Sequence, residues 1–129
     1  MQHQNLCDRI IKLDRQIRFA GIVNGRGEVI EGGFQNDVQP LLDGTDEQQM
    51  YVQSLSSMTA LERHASRLGK VRYSFTECEK VSLFTFPLKD SILCVSTSSR
   101  TDPIKILDKI RRTIKVRPAN ARKSNRRIK

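Results

Sequence analysis

The sequence predicts a small α/β (α+β) domain, a five-stranded antiparallel sheet with helices on both faces and the order α-β-β-α-β-β-β-α. Three observations carry that prediction. Three stretches repeat apolar residues at helical spacing, and five short runs carry the extended pattern of strands, separated by turn residues. The central runs place large apolar groups on both faces, so both sides of the sheet need cover. At 129 residues with 37% hydrophobic content, the chain is long enough for one core and short of two.

Leu6, Ile10, Leu13 and Ile17 recur at spacings of four, three and four, which predicts a first helix over about residues 4 to 16. Arg18 to Asn24 is a short apolar run. Asn24-Gly25-Arg26-Gly27 supplies turn chemistry, and Glu28 to Phe34 resumes an extended pattern, so this segment reads as a β-hairpin. The Gly32-Gly33 pair fits a bulge or bend at the strand end, favoured over a close approach of another backbone.

Pro40 and Gly44 break the next stretch, and Thr45-Asp-Glu-Gln48 fits a capping box opening a long helix from about Asp46 to Arg67. Met50, Tyr51, Leu55, Met58, Leu61, Ala65 and Leu68 give that helix one apolar side, and Gly69 is placed to close it in the left-handed conformation. Strands follow at Lys70 to Thr76, Lys80 to Phe86 and Ser91 to Ser98. The first alternates Val71, Tyr73 and Phe75 with Arg72, Ser74 and Thr76, as expected of a strand with one wet face. The other two carry apolar groups on both faces and are expected, with the first strand of the hairpin, at the centre of the sheet. Thr101-Asp102-Pro103 starts a last helix that presents Ile104, Leu107, Ile110 and Ile114 to the sheet and frays before Pro118.

Charge divides the chain. Residues 1–114 hold 16 Lys and Arg against 14 Asp and Glu, whereas residues 115–129 hold seven Lys and Arg and no acid, so the net charge of +9 is mostly a property of the C-terminal segment. That segment is expected to be a basic, disordered tail after a domain over 1–114. Lys115, Arg117, Arg122, Lys123, Arg126, Arg127 and Lys129 would give nucleic acid or another polyanion a salt-dependent, sequence-indifferent contact, or serve only to solubilise. No apolar run approaches the roughly 20 residues of a membrane span, and charged residues interrupt the first thirty, against a signal peptide. The chain reads as cytoplasmic, with Cys7, Cys78 and Cys94 as reduced thiols.

Motifs for chemistry are missing. Gly25-Arg26-Gly27 runs strand to strand without the third glycine of a nucleotide loop, and His3 and His64 have no partner at metal-ligand spacing. Glu77 and Glu79 at a hairpin tip read as solvated turn residues, and Ser56, Ser57, Ser96, Ser98 and Ser99 lie in no nucleophile elbow. No enzyme, cofactor or metal is indicated. A pocket between sheet and helices, lined by Phe19, Phe84 and Phe86, would make a small-molecule sensor, although these rings serve equally as core.

The element order, the Gly21-Ile-Val-Asn24, Arg26-Gly27 and Gly32-Gly33-Phe34 hairpin, and the Val71 to Ser98 meander resemble the roadblock family of profilin-like domains, related to dynein light chains. Within it they look most like small archaeal domains of unassigned function. The resemblance spans roughly residues 4 to 114. It implies a homodimer that pairs the edge strand and packs the second helices together, with Leu55, Met58, Val71, Tyr73 and Phe75 as interface candidates. It further implies a scaffold or regulator of a small GTPase or similar switch.

Overall fold

Leu6, Cys7 and Ile10 are buried on one side of α1 (Gln2–Ile11), the first element of a computed structural model that describes residues 2–115. The helix stops short of the predicted residue 16. The Leu13 N–H turns back to the Ile10 carbonyl (3.0 Å), and the Asp14 carboxylate accepts from the Gln16 N–H (2.8 Å), a local bond that competes with helix continuation. Ile17 still reaches the core, fully buried, but as the first residue of β1 (Ile17–Val23).

β1 pairs antiparallel with β2 (Val29–Phe34) in the predicted hairpin. The Asn24 side-chain oxygen organises the turn by accepting from the N–H groups of Arg26 (2.9 Å) and Glu28 (3.0 Å). The irregularity in this ladder falls at Ile22/Val23, not at the glycine pair. Gly32 lies in regular register opposite Gly21, where a Cβ would sit 2.2 Å from the Ala20 carbonyl oxygen. The expected bulge is therefore corrected to the alternative, a close backbone approach.

α2 spans Gly44–Glu62, and its cap is Asp43, not Thr45: the Asp43 carboxylate accepts from the Asp46 N–H at 2.8 Å. The predicted single long helix is interrupted at Arg63 and His64, followed by a short α3 (Ala65–Leu68). Leu68 consequently leaves the apolar side and is exposed, and Leu61, in the last turn of α2, is exposed as well. Gly69 takes the expected positive φ (85°), but its ψ of 171° sends the chain out extended, outside the left-handed helical region.

β3 (Ser74–Glu77), β4 (Val81–Pro87) and β5 (Ile92–Ser98) form the predicted meander. β3 starts four residues later than expected because the Val71 N–H is committed to the Glu62 carboxylate (3.1 Å) and its side chain packs toward α2. The sheet order is β2-β1-β5-β4-β3, which puts β1, β5 and β4 at the centre, as predicted, and β3 at one edge.

Helices cover both faces. On one, α1 and α4 (Pro103–Lys115) bury Leu6, Cys7, Ile10, Ile106 and Ile110 against Ile17, Ala20, Ile22, Phe84, Phe86, Leu93 and Val95. On the other, Tyr51 and Met58 of α2 cover Phe19, Val23, Ile92 and Cys94. The Asp102 carboxylate accepts from the Ile104 N–H (3.0 Å), capping α4 where the Asp-Pro pair predicts. Ile104 is corrected from core to surface at 76% exposure; the buried stripe runs through Ile106 and Ile110, with Leu107 and Ile114 half-buried beside it.

Candidate interaction surface

β3 offers four residues with a free outer edge, since among the described residues it pairs only with β4. Phe75 stands there at 38% exposure, its ring 4.9 Å from Phe84. Tyr73 immediately precedes the strand. Its ring lies 6.2 Å from Phe86, and the Arg111 guanidinium of α4 stacks over it at 5.5 Å.

Across the sheet, a groove of about 250 Å³ opens between α2, the segment before it and the outer faces of β4 and β5. Leu41, Leu42, Met50, Tyr51 and Leu83 are among the residues of its apolar wall, and the Tyr51 hydroxyl donates to Glu47 at 3.2 Å. Phe19 and Phe84 contribute to this wall as the sequence suggests, whereas Phe86 does not. The exposed Leu41-Leu42 pair is the part that sequence reasoning passes over; two leucines beside Pro40 in an otherwise polar connection are the signal that marks it.

The predicted interface residues fall in two groups. Leu55 and Val71 are half-buried and Met58 is buried, all packed on the α2 side of the sheet. Tyr73 and Phe75 lie against Phe86 and Phe84 on the α4 side. Of the basic candidates, Lys115 is the exposed last residue of α4; Arg117, Arg122, Lys123, Arg126, Arg127 and Lys129 lie outside the described residues. Among the described residues no cluster of three or more His, Cys, Asp and Glu could hold a metal, and no helix is long and apolar enough to cross a membrane.

Two thiols carry an electrostatic signature of burial. Cys94 is pushed up to about 12, first by desolvation and then by the Glu47 carboxylate. Cys7 rises to about 11, first by desolvation and then by Glu31 and Asp8. Burial, and then Glu47, raises the Tyr51 hydroxyl too. An unfolded thiol ionises near 9.0 while these stay protonated in the fold, so the unfolded state binds fewer protons above that pH and stability falls as pH rises. The unfolding free energy from urea titrations is expected to hold up to about pH 8.5 and then drop by on the order of 1–3 kcal/mol per pH unit between pH 9 and 11. Cys94→Ala should flatten that slope; a slope unchanged by it would place the alkaline sensitivity elsewhere.

Comparison with known proteins agrees with this architecture. MglB of Myxococcus xanthus superposes with a TM-score of 0.64 at 20% identity, covering 88% of this chain and 89% of that one. A roadblock/LC7 domain from Streptomyces avermitilis gives 0.60 at 19% identity, with 87% and 91% covered. A further structure, MglB in a tetrameric arrangement, gives 0.64 at 17% identity, with 94% and 86% covered. No curated protein sequence matches the chain significantly. The structural likeness establishes the roadblock fold, and a family model matches residues 2–116. With all of the described chain inside that match, this protein belongs to DUF6659, a family of unknown function, and builds it on a roadblock fold.

Proposed function

We propose that the chain is a non-enzymatic interaction module that works as a homodimer through the β3 edge and the adjoining groove. The observation that carries this reading is the edge that stands open among the described residues: unpaired backbone groups beside a part-exposed phenylalanine are a template for another strand, and self-pairing shields them. The exposed Val52 and Leu61 give α2 apolar surface beyond what its own sheet covers. In this arrangement Phe75, Tyr73, Leu55 and Val71 meet the second copy, and Met58 seats α2. The tetrameric arrangement of an MglB supports self-association on this fold. The roadblock fold supports the finer reading that the assembly scaffolds or regulates a small GTPase or a similar switch.

The test is solution molar mass by light scattering at moderate and high salt. A salt-resistant dimer is expected, converted to monomer by Phe75→Lys, which sets two like charges against each other at the edge. Phe75 is the better probe than Tyr73, whose ring is packed inside the protomer. A dimer that survives Phe75→Lys sinks the edge model. Association that disappears with salt instead favours the second reading, polyanion binding by the basic segment from Lys115 to Lys129. The groove also suits a small-molecule sensor, but its volume falls just short of the ~300–1,000 Å³ of most ligand pockets. The interface therefore ranks first.

A further inference from the structure

We infer that two copies pair antiparallel with Phe75 on the two-fold axis, so that Arg111 of each protomer meets the partner's Glu77; this rests on the edge-pairing reading above. A two-fold axis perpendicular to a sheet sets one residue opposite its own counterpart. Every other pair then has numbers summing to twice that residue. β3 spans four residues, so four axes are possible.

Three of them conflict with the fold. An axis at Glu77 opposes two carboxylates directly, which is unfavourable. An axis at Thr76 sets Phe75 against the partner's Glu77, twice. An axis at Ser74 requires Val71 to pair as a strand, but its N–H is held by Glu62 and its side chain is packed toward α2.

The axis at Phe75 makes every pair compatible. The two part-exposed Phe75 rings meet, each backed by its own Phe84 at 4.9 Å. Ser74 faces the partner's Thr76, a hydroxyl pair suited to cross-strand contact. Tyr73 faces the partner's Glu77, and alternation puts Glu77 on the same face as Phe75 and Tyr73. Directly opposed Cβ atoms are about 4.5–5.5 Å apart. That distance brings the partner's Glu77 carboxylate to the guanidinium stacked over Tyr73. Neither Arg111 nor Glu77 has an ion-pair partner among the described residues, and Glu77 is exposed. The edge thus carries an apolar centre between two identical charge pairs, and the second copy of this chain is the partner that matches it.

Cysteine scanning of the full chain in a Cys78→Ser background reads the register. Under mild oxidation Phe75→Cys should form a disulfide-linked dimer in high yield, whereas Ser74→Cys and Thr76→Cys, each offset from its own counterpart by about 7–8 Å, should not. Separately, Glu77→Arg should weaken the dimer about tenfold, because like charges now meet twice, and adding Arg111→Glu should restore it to within about threefold. Cross-linking at Ser74→Cys or Thr76→Cys in its place, or no recovery in the double variant, overturns this register while leaving edge pairing intact. A monomer by mass, or a dimer that cross-links at none of these three positions nor at Glu77→Cys, overturns edge pairing and the register with it.

Discussion

Gly32→Ala is expected to remove a large share of the domain's stability. Gly32 has a φ of +84°, a region that costs other residues about 1–2 kcal/mol. An added Cβ would also lie 2.2 Å from the Ala20 carbonyl oxygen and 2.9 Å from both the Cys7 sulfur and the Gly21 Cα. Two of those three atoms are backbone of the neighbouring strand, so relief requires moving β1, which is held on its other side by β5. Overpacking of this kind adds about 1–3 kcal/mol, and the total of roughly 2–5 kcal/mol compares with a whole-domain stability of about 5–15 kcal/mol. Urea unfolding of Gly32→Ala beside Gly25→Ala makes the comparison clean, since a Cβ at Gly25 meets nothing within 4 Å. Gly25→Ala should be nearly neutral. Equal midpoints for the two variants would show that the hairpin yields at no cost.

Phe84→Ala is expected to be comparably damaging, and to loosen the β3 edge in particular. Phe84 is 1% exposed and sits between Phe86, with ring centroids 6.5 Å apart, and Phe75. Removing a buried phenylalanine ring costs about 3–5 kcal/mol. It also removes the surface on which Phe75 rests, so amide exchange at Ser74–Glu77 should accelerate more than in β1 or β5. A double-mutant cycle with Phe75→Ala should return a coupling of about 0.5–1.5 kcal/mol. Zero coupling, with uniform exchange across the sheet, would mean that the edge is held by its backbone ladder alone.

Much of the fold is legible in the sequence where local chemistry and burial agree. Asn24 to Gly27 announces the hairpin because one asparagine side chain satisfies two turn N–H groups, and Asp102-Pro103 announces α4 by its cap. The misreadings occur where a distant partner outweighs a local pattern. Thr45 to Gln48 satisfies a capping box, yet Asp43 lies two residues upstream and its carboxylate takes the cap first. Ile17 fits a helical stripe as well as it fits the start of a strand, and only the Asp14 turn decides between them. Gly32 could not be assigned before the register with Gly21 was known. At the surface, alternation from Val71 to Thr76 identifies the edge strand but not that its first residues are tied to α2, nor that Leu55 and Phe75 end on opposite sides of the sheet.

The bond from the Val71 N–H to Glu62 has a further consequence. It closes residues 62–71 into a loop whose two ends are fixed independently of what lies between them. Loop-closure entropy grows only slowly, by about 0.6 kcal/mol for each doubling of length. The segment carrying Arg63, Arg67 and Lys70 is exposed and contributes nothing to the buried core. Insertions and changes of charge there are buffered from β3 by that clasp, so this excursion is where the chain can tolerate variation without redrawing the β3 edge.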